Sequence, residues 1–279
     1  MNNTIFISLA SYCDDMLEFT LKSAFNSAKN KENIFFGVVD QNHVNSRDTI
    51  KSLEFSNQIR YCHIFPDDSL GVSWARHLCF SLYNNEEYFL QVDSHTYFEE
   101  NNEITFKKPS GKTVLLLRPK KELKIDKENL VLQFRAKHIT SSEAILGCHI
   151  AAGFLFANGD FIEEIPYDPY LYFHGEEQSL AIRSFTKGWD IYHPKWIPLY
   201  HLYKKAGTKY ENHHWSGDIS KQRDFDWVYL QKRAKDRLQK LIYGKLNSSI
   251  YGLGKDRTID EYIKFSGIDY FNYTITDSI

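Results

Sequence analysis

Residues 88–95, YFLQVDSH, run from Tyr88, Phe89 and Leu90 through Gln91 and Val92 straight into Asp93-Ser94-His95. A short apolar run that stops abruptly at polar residues reads as a buried strand leaving a sheet at its carboxyl end. The residues upstream repeat the pattern. Residues 4–9 (TIFISL) form a β-branched and aromatic run that ends in Ala10-Ser11-Tyr12. Leu17, Leu21, Ala24, Phe25 and Ala28 then recur at helical spacing. Residues 34–40 (IFFGVVD) are a second apolar strand ending in an acid, and residues 59–65 a third. Ser73 suits the cap of a helix carrying Trp74, Leu78 and Leu82, and the 88–95 strand follows it. Strands alternating with helices predict a parallel α/β sheet covered by helices on both faces. Ligands of such sheets bind beyond the carboxyl ends of the strands, where Ser11, Asp40 and Asp93 all fall.

The chain is long enough for one large domain or two small ones: 279 residues, 42% hydrophobic and 25% charged. Its 20 Phe and 18 Tyr can build a large core and leave rings over for stacking against sugars or bases. A net charge of -2 gives no general attraction to nucleic acid or to an anionic membrane. The basic run Lys232-Arg233-Ala234-Lys235 reads as a solvated helix face. Cys13, Cys62, Cys79 and Cys148 form no C-x-x-C pair, which argues against a zinc knuckle and for a reduced, cytoplasmic setting. The N-terminal MNNTIFISLA lacks a basic leader region, so no signal peptide is expected. No apolar run reaches the ~20 residues of a membrane span, and any membrane contact would be peripheral.

Asp93 and His95 stand two apart, so in an extended segment both side chains point the same way and can reach one ion. A carboxylate with an imidazole suits a borderline octahedral cation such as Mn²⁺, or Mg²⁺, with positions left for phosphate oxygens. A second imidazole could come from His201, near the end of a strand expected over 196–203, or from His193, His213 or His214. Glu176 and Glu177 follow Gly175 and open a helix that reaches about residue 186. There they suit the helix dipole and could also handle a proton or sugar hydroxyls. Arg76 lies near the start of its helix, against the dipole, which points to an anionic partner. The other closely spaced acids, Asp224-Phe225-Asp226, read as a solvated helix start. Residues 113–117 and 150–156 are further strand candidates. Residues 207–217 (GTKYENHHWSG) are a glycine-bounded candidate lid, and a charged helix is expected from residue 220.

The set IFISLASY, FFGVVDQN, GVSWARHLCFSLYNNEEYFLQVDSH, AAGFLFA, YFHGEEQSLAIRSFTKGWDIYHP, YHLY and YGLGKDRTIDEYIKFSGIDYF resembles glycosyltransferase family sixty over most of the chain. The best-known member type of that family attaches GlcNAc to hydroxyproline on a cytoplasmic protein. A more distant similarity extends to the mucin-type polypeptide GalNAc-transferases. The resemblance implies a GT-A fold, a UDP-sugar donor (UDP-GlcNAc) and a divalent cation, usually Mn²⁺. It implies one domain over 1–279, with a nucleotide-binding half (1–100), a sugar and acceptor half (101–217) and a C-terminal helical segment (218–279). By the same resemblance Asp93, His95 and His201 are metal ligands. Ala10, Ser11 and Tyr12 border the uridine, Asp40 meets the uracil or ribose, and Arg76 and Ser94 face the nucleotide. Gly153 and Phe154 line the donor sugar, as does Gly175. Asp93, Glu176 and Glu177 make up the catalytic set, with Glu177 standing where the distant relative has Asn.

The function expected is therefore metal-dependent transfer of a sugar, GlcNAc, from a UDP-sugar to a hydroxyl of a protein or glycan, with retention. The leaving phosphate would take the acceptor proton. Two other readings stand beside it: a degenerate GT-A module that binds a glycan or protein partner without turnover, and a hydrolase of nucleotide-sugars.

Overall fold

The structure, a computed structural model, describes residues 3–99, 112–114, 117–119, 125–132, 134–136, 143–194, 196–202 and 213–276. The chain begins with β1 (Ile5–Tyr12), α1 (Leu17–Ser27), β2 (Ile34–Gln41), α2 (Arg47–Lys51), β3 (Ile59–Ile64), α3 (Val72–Phe80) and β4 (Tyr88–Asp93). Strands β3, β2, β1 and β4 lie side by side in that order and all run parallel. The alternation of apolar strands and helices predicted this half.

The second half is built from shorter pieces. It comprises β5 (Thr96–Phe98), β6 (Lys112–Val114), β7 (Leu117–Pro119), β8 (Phe134–Ala136), β9 (Ile145–Gly147), β10 (Phe154–Asn158), α4 (Asp160–Glu164), α5 (Glu176–Thr186), β11 (Ile191–His193) and β12 (Leu199–His201). The C-terminal part adds α6 (Gly217–Gln222), α7 (Trp227–Ile242), α8 (Ile259–Ser266) and the hairpin strands β13 (Ile268–Asp269) and β14 (Thr274–Ile275). The main sheet continues beyond β4 in the order β10-β6-β11-β9, and β10 is antiparallel to both of its neighbours. The sheet is thus mixed rather than wholly parallel.

Two expectations need correction. The strand expected over 150–156 starts only at Phe154, because its ladder with β4 ends at the Phe154–Val92 pair. Of the strand expected over 113–117, the structure describes β6 to Val114 and β7 from Leu117, and residues 115 and 116 lie outside the described residues. Gly71, not Ser73, precedes α3, and the Ser73 hydroxyl donates instead to the Asp168 carbonyl at 2.8 Å. The part of the candidate lid from 207 to 212 lies outside the described residues.

Apolar layers cover both faces of the parallel strands. On one face Leu17, Leu21 and Phe25 of α1 pack on Ile7, Leu9, Phe36, Val38, Leu90 and Val92. On the other, Phe6, Phe89 and Leu155 meet Phe80, Phe161, Tyr167, Leu180 and Trp189. The one polar side chain inside the 88–92 run is satisfied: Ser8, opposite Gln91 in the ladder, donates to its Oε1 at 2.8 Å. Gln91 Nε2 in turn donates to the Val92 carbonyl. A third core joins α5 to the C-terminal helices through Ile182, Leu230, Leu238, Leu241, Tyr262 and Tyr270. The C-terminal segment is therefore packed into the molecule, and the buried Tyr262 hydroxyl donates to the Cys148 carbonyl at 3.0 Å.

Gly71 sits where the chain enters α3, with φ +106, a conformation that L side chains rarely adopt. A Cβ there would lie 2.4 Å from the Tyr172 ring and 2.7 Å from the Tyr172 carbonyl. Gly71→Ala is expected to destabilise by about 2 kcal/mol or more, from overpacking and backbone strain together. In a thermal melt that corresponds to a fall of about 4–8 °C.

Candidate functional site

The carboxyl ends of β1 and β4 open onto a cavity of about 560 Å³. That volume lies within the usual range for small-molecule and cofactor sites. The ladder between β1 and β4 ends at the Ala10–Asp93 pair. Beyond it the chain does not stay extended. Ser94 and His95 form a turn, and β5 begins at Thr96. The turn, not strand alternation, brings Asp93 and His95 together. Thr20 pins it from α1, its hydroxyl bonding to the carbonyls of Ser94 (2.8 Å) and Thr96 (3.0 Å).

His201 comes to the same place from more than a hundred residues away. β12 pairs antiparallel with β5, which sets His201 opposite Thr96, and the Leu202 amide donates to the His95 carbonyl at 3.0 Å. The His95 and His201 rings stand 4.7 Å apart, and His201 Nε2 lies 2.9 Å from Asp93 Oδ2. One ligand atom from each of Asp93, His95 and His201 falls within 4.8 Å of the others. This donor set of one oxygen and two nitrogens fits a borderline divalent ion. The 2.9 Å between Asp93 and His201 also matches the ~3 Å between two neighbouring ligands on an octahedral ion with bonds of ~2.1 Å. Gly153 faces the trio: a Cβ on it would stand 3.6 Å from Asp93 Oδ2.

Arg76 organises the electrostatics. It lies in the second turn of α3, on the buried face, and its two terminal nitrogens reach two acids. Nη2 donates to Asp93 Oδ1 at 2.7 Å and Nη1 to Glu176 Oε1. One guanidinium thus faces two carboxylates, and they respond differently. Burial opposes the charge on Asp93, but Arg76 and then His201 override it and hold the carboxyl well below the usual range. Burial pushes the Glu176 carboxyl up, and Arg76 only partly offsets this against the nearby charges of Glu177 and Asp93. Glu176 Oε2 is buried and makes no hydrogen bond. Glu177, also shifted up by burial, accepts from the Ala152 amide at 2.8 Å.

The other predicted residues divide by strand register. Ala10 and Tyr12 of β1 line the cavity, as does Gln41 of β2, the ladder partner of Tyr12. Ser11 and its partner Asp40 point to the opposite face, as alternation requires, and are fully buried. Asp40 Oδ2 accepts from the hydroxyls of Ser46 (2.7 Å) and Tyr61 (2.8 Å), while its Oδ1, like the Ser11 hydroxyl, is buried without a hydrogen-bond partner. Neither Ser11 nor Asp40, both expected at the nucleotide, is among the residues that line the cavity. Phe154, expected at the donor sugar, packs its ring in the core against β4 and does not line the cavity either. Ser94, Gly175, Glu176 and Glu177 do line it. So do His213 and His214, whereas His193 is buried against Gly147, far along the sheet in β11.

Two parts of the wall escaped the sequence reading. Asp14 lies under His95, its Oδ2 2.7 Å from Nδ1. Its only sequence signal is its place as an acid just ahead of a helix. Tyr172 closes the other end with His214, whose Nδ1 lies 2.9 Å from the Tyr172 hydroxyl and whose ring stands edge-on to Tyr12 at 4.2 Å. Burial first, then Arg223 and His213, push His214 down to about 3, so it is neutral at ordinary pH. Arg223 ties this wall to the segment between β3 and α3 by donating to the Pro66 and Ser69 carbonyls.

The family model described as Glycosyltransferase (GlcNAc) matches residues 4–54, 46–107 and 101–272. The chain belongs to this family. No curated protein matches it in sequence. Among solved structures, GalNAc-T7 in complex with UDP, GalNAc and Mn²⁺ superposes with a TM-score of 0.59 at 12% identity, over 94% of this chain and 54% of that one. This member of the Glycosyltransferase (GlcNAc) family therefore spans about half the length of GalNAc-T7. Residues 1–349 of Staphylococcus aureus TarS in complex with UDP-GlcNAc give a TM-score of 0.51 at 13% identity, over 88% of this chain and 73% of that one. At such identities the likeness is one of fold, and the fold is GT-A.

Replacing Arg76 by Met leaves the Asp93 and Glu176 carboxylates buried without their cation. Losing one partner of a buried pair costs about 3–5 kcal/mol, and the quarter exposure of Asp93 argues for the lower end, about 3 kcal/mol. The unpaired carboxyls then bind protons more tightly folded than unfolded. The deficit of Arg76→Met relative to wild type is therefore expected to shrink as the pH falls from about 7 to about 5, measured by urea unfolding.

Proposed function

We propose that the chain transfers GlcNAc from UDP-GlcNAc to an acceptor hydroxyl, with retention, using Mn²⁺ or Mg²⁺. The observation that carries this reading is the Asp93, His95 and His201 trio at the wall of the cavity at the strand ends. Family membership supports the GlcNAc donor, and the motif set supports a family-sixty type of acceptor, a hydroxyl on a protein or glycan. The same resemblance supports a cytoplasmic reaction and a single catalytic domain with halves 1–100 and 101–217 and a C-terminal helical segment 218–279. Among the described residues no helix is long and apolar enough to cross a membrane.

In this mechanism Asp93, His95 and His201 would hold the cation, whose chemistry there would be neutralisation of the charge that develops on the leaving diphosphate. Arg76 keeps Asp93 ionised and aims Oδ2 toward His201 by holding Oδ1. Tyr12, Gln41 and the Tyr172–His214 wall form the nucleoside end. Glu176 and Glu177, fixed at the start of α5 by Arg76 and by the Ala152 amide, orient the donor sugar. The acceptor hydroxyl loses its proton to the leaving phosphate, so no separate base is required. Positioning of two substrates beside a prearranged charge supplies the rate.

A thermal-shift series with UDP, GDP, CMP and UDP-GlcNAc, each with Mn²⁺ and with chelator, tests the reading. A ligand at 100 times its Kd stabilises by about 2.7 kcal/mol, or roughly 5–10 °C here. The shift is expected with uridine nucleotides plus Mn²⁺ only. Asp93→Asn is expected to remove both this shift and GlcNAc transfer while the unliganded melt stays cooperative. Absence of a shift with every nucleotide would instead favour a module that binds without turnover.

A further inference from the structure

Asp14 lies between β1 and α1 and is nearly buried, at 6% exposure. Its two oxygens have separate tasks. Oδ1 accepts from the Met16 amide at 3.0 Å and closes the turn that leads into α1. Oδ2 accepts from the Ser94 hydroxyl at 2.6 Å and lies 2.7 Å from His95 Nδ1. An ionised carboxylate can only accept hydrogen bonds. The contact therefore requires the proton on Nδ1 and leaves the lone pair of a neutral imidazole on Nε2. The Ser94 bond fixes Oδ2 on the residue between the two ligands of the turn. The carboxylate, the turn and the ring thus form one rigid unit.

We propose that Asp14 is a positioning residue for the cation. Its carboxylate holds His95 in the Nδ1–H tautomer and directs Nε2 to the ion shared with Asp93 and His201. The proposal rests on the metal reading above. A carboxylate behind a ligating histidine fixes its ring and raises its basicity, and loss of such a partner costs about 10–100-fold in metal affinity. A purely structural role would be met by Oδ1 on the Met16 amide and Oδ2 on the Ser94 hydroxyl, and would not need the His95 contact.

Asp14→Asn separates the two roles. The amide oxygen can still accept from the Met16 amide, so the turn survives. The amide nitrogen takes the place of Oδ2 and can only donate. It would then stabilise the tautomer with the proton on Nε2, which cannot ligate through that atom. Mn²⁺ binding to full-length wild type and Asp14→Asn is measured by EPR titration without nucleotide, at one pH above the usual histidine range. The variant is expected to bind about 10–100-fold more weakly, with an unliganded melt close to wild type. A second measurement needs no variant in the fold-sensitive position. Long-range ¹H–¹⁵N NMR of metal-free wild type, with the His95 signals identified by their loss in His95→Gln, is expected to show the proton on Nδ1.

Variant affinity within twofold of a wild type that binds Mn²⁺, or a His95 proton on Nε2 in the metal-free wild type, would overturn the assignment of Asp14 and leave the metal reading standing. A wild type that binds no Mn²⁺ would overturn both.

Discussion

One guanidinium with two acids holds the candidate site together. Arg76 comes from α3, Asp93 from the end of β4 and Glu176 from the first turn of α5. These elements belong to three separate stretches of sequence, and the guanidinium is where they meet. A single cation cannot satisfy two buried carboxylates equally. The more exposed one, Asp93, also gains His201 and stays ionised; the more buried one, Glu176, is pushed toward its neutral form. The arrangement yields one permanent anion, facing two imidazoles, and one carboxyl with an unused oxygen inside the cavity wall. That asymmetry suits a site in which one acid binds a cation and the other meets neutral hydroxyls.

The sheet explains why these groups share one edge. Parallel strands flanked by helices deliver their carboxyl ends to the same side, and β1 and β4 are neighbours there. The antiparallel β10 then closes against β4 and places Gly153, just ahead of it, beside Asp93 and His201. The short β5–β12 pair does what the main sheet cannot: it turns the chain away from β4 and brings a histidine back across it. The geometry of the Asp93, His95 and His201 trio depends on a two-stranded annex, whose Phe98 is anchored in the same core as α1.

The first half of the fold was legible because each strand is a continuous apolar run and each helix keeps its spacing. Residues 150–156 misled because apolar composition alone does not say where a neighbour's ladder stops. Asp93, His95 and Arg76 stood out because each breaks a local rule, an acid after a buried run or a cation near a helix start. Asp40 ends an equally apolar run, yet faces away. The difference between it and Gln41 is one residue of register, which depends on β1 and not on β2 itself. Asp14 left no such mark, since an acid ahead of a helix is ordinary and only the tertiary fold sets it beneath His95.

Burial does unequal work across this site. At His214 it strips charge from the wall, which offers rings and hydrogen-bonding groups at that end of the cavity. At Asp93 the same desolvation is overridden by Arg76 and His201, and charge is retained where a cation can use it. A ligand with one ring-bearing end and one polar end would take its orientation in the cavity from the difference between the two ends rather than from any one contact. This is also why the C-terminal segment belongs to the site. Arg223 comes from it, donating to the Pro66 and Ser69 carbonyls, and the His213–His214 pair that lines the cavity lies just ahead of it.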